Sequence, residues 1–208
     1  MKVEALKVGF IDTNCYIAHN GNVAVIIDPG ADADGILRKA DELGVAVKYI
    51  FLTHAHFDHV LAVSEIIKRT GAVLVAHEGE RVRLADPEVS GHSKLRGREF
   101  VPLTADREIS DGESIDVGDM HFEFIHTPGH TEGSVCIICE DTMFPGDTLF
   151  AGTCGRCDLA GGDFEEMLRT LRKLGELDGD YNVLPGHEEA TTLSRERRYN
   201  PYMTEAKR

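Results

Sequence analysis

The 208-residue sequence predicts an α/β protein of two similar halves, each made of strands followed by a helix, with helices covering both faces of paired sheets. Three observations predict it. Short apolar bursts of strand character recur along the chain. Amphipathic helical stretches alternate with them. A chain of this length buries roughly 70% of the surface it exposes when unfolded, enough for a core without cross-links. We read residues 1–208 as one domain.

Met1–Val8, Thr13–Ala18 and Val23–Ile27 read as consecutive strands, with turns at Gly9 and Asn20-Gly21. Asp28-Pro29-Gly30 breaks the pattern. Ala33–Leu43 is helical: Ile36, Leu37, Ala40 and Leu43 share one face, and Gly44 supplies the stop. Lys48–Leu52 reads as a buried strand. Val60–Arg69 reads as a second helix, ended at Gly71, and Ala72–Ala76 as another strand. Residues 86–107 carry Pro87, Gly91, Gly97 and Pro102 without a clear period, which predicts a long loop, a kind of segment often functional in compact domains. Ser114–Val117, His121–Ile125, Ser134–Cys139 and Thr142–Phe144 follow as a run of strands. Asp163–Leu174 is a helix with an apolar stripe of Phe164, Met167, Leu168, Leu171 and Leu174, and Asp163 with Glu166 predicts a capping box. Asn182–Leu184 is the last strand before a basic, helical tail. No short-period repeat or low-complexity segment interrupts the pattern.

Charge narrows the partners. Lys and Arg number 22 against 36 Asp and Glu, a net charge of −14, which disfavours a nucleic-acid groove built on phosphate neutralisation. No stretch approaches the about 18 apolar residues of a membrane span. The first ten residues mix Lys2, Glu4 and Lys7 with apolar side chains and lack a signal-peptide core, so the expected compartment is the cytoplasm. Five cysteines, an odd number, argue against a fully paired disulfide framework. Ten histidines form the one unusual count, and their positions carry the functional signal.

Thr53-His54-Ala55-His56-Phe57-Asp58-His59 leaves an apolar strand and enters a helix, at the carboxyl end of a strand where open α/β sheets place their sites. His54 and His56, two apart, project the same way from extended backbone. Asp58 and His59 enter the first helical turn and face a neighbouring position. A solvated polar loop is the alternative, but Tyr49-Ile50-Phe51-Leu52 brings this segment out of a buried strand. Three further segments repeat the design of apolar strand, Pro-Gly turn and ligand-type residue. They end at His130 after Pro128-Gly129, at Asp147 after Pro145-Gly146, and at His187 after Pro185-Gly186. The candidate ligands are thus five histidines and two aspartates. His19, His77, His92 and His121 fit no such pattern and are expected on the surface or in the core. His126, close to His130, either stands behind the ligands or serves the surface.

In these segments, together with Asp28-Pro29-Gly30, Thr127-Pro128-Gly129-His130-Thr131 and Gly155-Arg156, the sequence resembles the metallo-β-lactamase superfamily. More narrowly it resembles the glyoxalase II-like (hydroxyacylglutathione hydrolase-like) branch, over nearly the whole chain. The resemblance implies an αβ/βα sandwich of two mixed sheets flanked by helices, with the site along one edge of the sheets. It implies that His54, His56 and His130 hold a first metal, that Asp58, His59 and His187 hold a second, and that Asp147 bridges them. Imidazole and carboxylate suit Zn²⁺, Fe²⁺ or Mn²⁺, and no thiolate forces the choice; two divalent ions, Zn²⁺ first, are expected. Two metals about 3.5–4 Å apart can share a hydroxide and bring the pKa of its parent water toward neutrality. Two divalent ions, two aspartates and a hydroxide leave one net positive charge, so the expected partner is a small anionic substrate. The oligomeric state is not legible.

Cys136-Ile137-Ile138-Cys139 and Cys154-Gly155-Arg156-Cys157 mimic the spacing of a zinc ribbon. Ser134–Cys139 reads as a strand, however, and side chains three apart in a strand face opposite ways, so Cys136 and Cys139 cannot share an ion. Cys154 and Cys157 follow Asp147 closely, and a redox role for them stays open.

The resemblance implies hydrolysis of a thioester of the hydroxyacyl-glutathione type. Asp58 would orient the nucleophile or take its proton, and Arg156 would bind a substrate carboxylate unless it is a structural or surface arginine. Full-length members of the branch carry an added helical domain that grips glutathione, whereas this sequence ends 21 residues after His187, which implies a short form. Gly155-Arg156-Cys157-Asp158 is nearer to the Gly-Arg-Thr-Asp of persulfide dioxygenases and of short glyoxalase II-like proteins. An iron-dependent persulfide dioxygenase using His54, His130 and Asp147 is therefore the alternative from another class, and a lactonase-type hydrolase a further one. Metal binding without catalysis and nuclease activity fit less well, given the intact ligand set and the acidic charge.

Overall fold

The computed structural model describes residues 1–206. In chain order the elements are β1 (Lys2–Val8), β2 (Thr13–His19), β3 (Val23–Ile27), α1 (Ala33–Leu43), β4 (Ala46–Phe51), α2 (Phe57–Val60), α3 (Val63–Thr70) and β5 (Val73–His77). A 3₁₀ turn over Glu78–Glu80 leads into α4 (Arg81–Ala85). Then come β6 (Arg107–Ile109), β7 (Ser114–Val117), β8 (Met120–His126), β9 (Val135–Cys139), β10 (Thr142–Gly146), β11 (Leu149–Phe150), β12 (Thr153–Cys154), α5 (Phe164–Gly175), β13 (Asn182–Pro185), β14 (Thr191–Thr192), α6 (Leu193–Tyr199) and α7 (Pro201–Glu205).

Two six-stranded mixed sheets result, ordered β1-β2-β3-β4-β5-β6 and β14-β13-β10-β9-β8-β7, beside a β11-β12 ribbon. Strands β3 to β6 run parallel, as do β10 and β13, while the remaining neighbours are antiparallel. Strand alternation sorts the apolar side chains into three layers. Tyr16, Val25, Phe51, Phe122, Phe124 and Phe144 fill the space between the sheets. Ile26, Ile50 and Leu74 face the helices of the first half with Ile36, Leu37 and Ile66. Ile125, Met143 and Val183 face Met167, Leu171 and Leu174 of α5 on the other side. This is the expected αβ/βα sandwich. Cys136 belongs to the α5 layer and Cys139 to the layer between the sheets, so the strand places them on opposite faces, as predicted.

Several elements differ from the sequence reading. The helix expected over Val60–Arg69 is two, α2 and α3. The Ala62 N–H donates to the Pro29 carbonyl at 3.0 Å instead of continuing the first helix, so docking on the Asp28-Pro29-Gly30 turn splits it. Strand β6 opens at the end of the segment read as a loop and pairs in parallel with β5. Its three residues are too few to display a period. The 3₁₀ turn and α4, and the two-residue strands β11 and β12, are likewise too short to display a period in the sequence. Asp163 caps α5 by accepting from the Glu166 N–H at 3.0 Å, but the Glu166 side chain pairs with Arg169, so the cap is single rather than a box. The basic tail is helical, restarted at Asn200, whose side chain caps α7.

Hydrogen bonds tie the two sheets together along one edge. Val135 N–H donates to Thr53 O at 2.9 Å and Asn14 N–H to Gly186 O at 2.7 Å. The Tyr16 hydroxyl donates to Pro185 O at 2.7 Å. The loops after β3, β4, β10 and β13 all open at this edge.

Candidate metal centre

The candidate ligands follow the ends of β4, β8, β10 and β13, with Asp58 and His59 already in the first turn of α2, and the sheets bring these ends together. His54 and His56 follow β4. In the β10–β13 pairing Gly146 lies opposite Pro185, which sets Asp147 beside the turn that carries His187. Gly146 has φ 52°, and a Cβ there would collide with Thr53, so only glycine passes this point. A Cβ on Gly186 would likewise strike the Asp147 carboxylate and the His59 ring. These Pro-Gly turns let backbone approach the site closely.

The seven predicted residues converge as two clusters around Asp147. His54, His56 and His130 form one; Asp58, His59 and His187 form the other; within each cluster the ligand atoms lie within 4.8 Å of one another. His56 Nδ1 stands 2.9 Å from His130 Nε2. Asp58 Oδ2 is 3.1 Å from His187 Nε2 and 3.4 Å from His59 Nε2. Asp147 reaches both clusters: Oδ1 lies 3.5 Å from His59 Nε2, and Oδ2 lies 3.6 Å from both His130 Nε2 and His187 Nε2. Four buried polar atoms among the described residues lack a hydrogen-bond partner, and three belong to these clusters: His54 Nε2, His59 Nε2 and Asp147 Oδ1. Buried polar atoms are normally paired. Orphaned imidazole nitrogens and a carboxylate oxygen, packed together, are the donor set of a divalent metal. The residues present fit two such ions.

The remaining ring atoms are held from behind. Asp28 Oδ2 takes His59 Nδ1 at 3.0 Å and the Thr53 hydroxyl at 2.5 Å, while Oδ1 accepts the Thr53 N–H at 2.8 Å. Asp28 also lies near His54 and His59 as a possible third ligand group, but these bonds occupy its oxygens, so it orients His59 rather than competing for the ion. It sits at φ 50°, in the left-handed region that Asp tolerates better than most residues. The Arg156 carbonyl accepts from His130 Nδ1 at 2.7 Å, fixing that ring with Nε2 toward the cluster.

The clusters differ electrically. Burial, then the neighbouring imidazoles, pushes His54 well below the usual histidine range and His56 to about 2, so both are neutral and ready to ligate. Burial would raise Asp58, but His59 and His187 hold it well below the usual carboxylate range. Burial would lower His59, yet Asp58, Asp147 and Asp28 together hold it well up. His187 is raised in the same way, against burial, by Asp58 and Asp147.

A cleft of about 490 Å³ opens over the clusters, with His56, Asp58, His130, Asp147 and His187 at its floor. Ile11, Phe57, Val89, Phe150 and Leu159 give it apolar walls, and Phe10 stacks on Phe57 with centroids 6.2 Å apart. The 86–107 segment lines the cleft through Glu88, Val89, Ser90, Gly91 and Lys94. It is docked to α2 by the Phe57 N–H, which donates to Ser90 O at 3.0 Å. Arg156 lines the cleft with a side chain 61% exposed, but its guanidinium is engaged by Asp158 at 2.6 and 2.7 Å.

His126 does not stand behind the ligands. Its ring stacks on His77 with centroids 4.2 Å apart and bonds the Glu132 carbonyl. His19 and His92 are buried, and His121 is exposed and paired with Asp116. Burial, then neighbouring acidic groups, raises the Cys157 thiol to about 11, and burial, then Cys157, raises Cys154 to about 12, so neither is an activated thiolate. Sequence reasoning missed the holding roles of Asp28 and of the Arg156 carbonyl. Asp28 alone had a visible signal, the Asp-Pro-Gly turn.

The sequence profile of the metallo-beta-lactamase superfamily matches residues 8–187. The chain belongs to the metallo-β-lactamase superfamily. The His/Asp cluster is a binuclear metal site of this fold. Among similar metallo-β-lactamase-fold structures, the BLEG-1 B3 metallo-β-lactamase superposes with a TM-score of 0.91 at 35% identity, covering 98% of this chain and 100% of its own. The di-iron-bound form of TTHA1623 superposes with a TM-score of 0.85 at 30% identity, covering 96% and 99%. The hydroxyacylglutathione hydrolase GloC of Haemophilus influenzae is 32% identical over 98% of each chain. Among the described residues no helix is long and apolar enough to cross a membrane.

Proposed function

We propose that the chain hydrolyses a thioester of the hydroxyacyl-glutathione type with a binuclear metal centre. The observation that carries the hydrolytic reading is the completeness of the second cluster. His59 Nε2 is buried and orphaned beside Asp58 and His187, a set that a single-iron site built on His54, His130 and Asp147 would leave unused. Relatedness to GloC supports the thioester.

In this reading His54, His56 and His130 would hold one ion and Asp58, His59 and His187 the other, with Asp147 within reach of both clusters. Two divalent ions, Zn²⁺ in our reading, supply Lewis acidity toward a carbonyl and a water that ionises near neutrality. The chain does the rest. Asp58, ionised and facing the cleft, would orient the attacking water or take its proton. Asp28 and the Arg156 carbonyl keep His59 and His130 from turning. The apolar walls carry the acyl portion. Lys94 and Arg156 are the cations lining the cleft and meet the carboxylates of the substrate. We place the protein in the cytoplasm, where such thiol carriers are reduced.

A second reading, β-lactam hydrolysis, is favoured by the likeness to BLEG-1. The deciding assay compares S-lactoylglutathione turnover in an anaerobic chamber, oxygen uptake with glutathione persulfide, and turnover of a chromogenic cephalosporin. We expect thioester hydrolysis without oxygen. Oxygen uptake with negligible thioester turnover would promote the dioxygenase, and cephalosporin turnover alone the lactamase.

A further inference from the structure

We propose that Glu80 and Arg83, in the short helical segment after β5, are positioning residues for the site. Glu80 locks together the loops that bear His54, His56 and His130, and Arg83 sets the spacing of two cleft walls. The inference rests on the metal-centre reading and not on the choice of substrate.

Both side chains are 1% exposed and paired at 3.1 Å, although neither touches the cluster. Glu80 Oε2 accepts from the Ala55 N–H at 2.8 Å and from Arg83 Nε. Ala55 lies between His54 and His56. Glu80 Oε1 accepts from the Thr131 hydroxyl at 2.5 Å and the Gly133 N–H at 3.0 Å, directly after His130. One carboxylate therefore joins the His54–His56 loop, which leaves the first sheet, to the His130 loop, which leaves the second. All four partners are donors, and a carboxylate is the side chain that offers only acceptors. An amide in its place must turn an NH₂ toward two donors. Arg83 spends its outer nitrogens elsewhere: Nη1 donates to Val89 O at 2.6 Å and Nη2 to Ala160 O at 3.0 Å. Val89 and Ala160 both line the cleft, on segments more than sixty residues apart in sequence. A buried ion pair adds little stability over an apolar replacement. This one occupies the junction of two ligand loops and two cleft walls, where geometry is what it supplies.

The test measures zinc affinity by competition with a chromogenic chelator for wild type, Glu80→Gln, Thr131→Val and Arg83→Lys, with KM and kcat on S-lactoylglutathione and circular dichroism for folding. Removing a partner that orients ligands costs about 10–100-fold in metal affinity, which is the expected result for Glu80→Gln. Thr131→Val removes one of the four donors and should give a smaller loss in the same direction. Lysine at Arg83 keeps a charge for Glu80 but cannot span both carbonyls, so KM should rise severalfold while kcat and zinc affinity hold. A folded Glu80→Gln with wild-type zinc affinity would overturn the proposal. Should that variant not fold, unchanged affinity in Thr131→Val overturns it instead. Unchanged KM in Arg83→Lys refutes the role of Arg83 in the cleft. Wild-type protein holding fewer than two zinc ions would defeat the metal-centre reading itself, a different failure.

Discussion

The two candidate ligand clusters share a six-residue loop and one bridging carboxylate, yet they are built differently. The cluster of His54, His56 and His130 is all imidazole and deeply buried, and burial holds His54 and His56 neutral. The cluster of Asp58, His59 and His187 carries a carboxylate, and its histidines are held up by acidic neighbours. It is also more open: the His187 side chain is 21% exposed, against 2% for His130. The difference arises from the backbone. His54 and His56 leave a strand in extended conformation, inside the sandwich edge, whereas Asp58 and His59 ride the first turn of α2, which faces the cleft. Burial gives one cluster a preformed imidazole cage. Acidic neighbours give the other its charge, and it is His187 that opens this cluster toward the cleft.

Four experiments sharpen or break this comparison. The largest effect should come from His59→Ala, which empties the second cluster alone: about one metal equivalent and most activity are lost while circular dichroism stays native. Full metal content by elemental analysis would mean the second cluster is misassigned. Asp28→Asn should act on the same cluster through the His59 ring, lowering the affinity of the weaker ion about 10–100-fold in a chelator titration. Equal weakening of both ions would place Asp28 behind both clusters. Timed removal of metal by a chelator should be biphasic, with the first ion leaving from the exposed cluster; in His59→Ala that fast phase should vanish. A single phase in wild type would erase the distinction. The smallest effect is expected of Arg156→Ala. Its carbonyl, which holds His130, is kept, and its guanidinium is exposed and already paired with Asp158, so KM should rise a few-fold with kcat unchanged. A fall in kcat instead would show the side chain acting on the chemistry.

The seven candidate ligands and the strand-to-helix rhythm were legible in the sequence because both are local. His-x-His-x-Asp-His keeps its spacing whatever surrounds it, and apolar periodicity reports which face of a strand or helix is covered. The opposite facing of Cys136 and Cys139 followed from the same strand geometry. Tertiary structure decided which polar groups meet across the chain. It split the helix over Val60–Arg69 by docking Ala62 on Pro29, turned Arg156 toward Asp158, stacked His126 on His77, and gave Asp28 and Glu80 their partners. A buried carboxylate must find its donors wherever the topology delivers them. Those donors, Thr53 for Asp28 and Thr131 for Glu80, lie 25 and 51 residues away, beyond the reach of any local pattern.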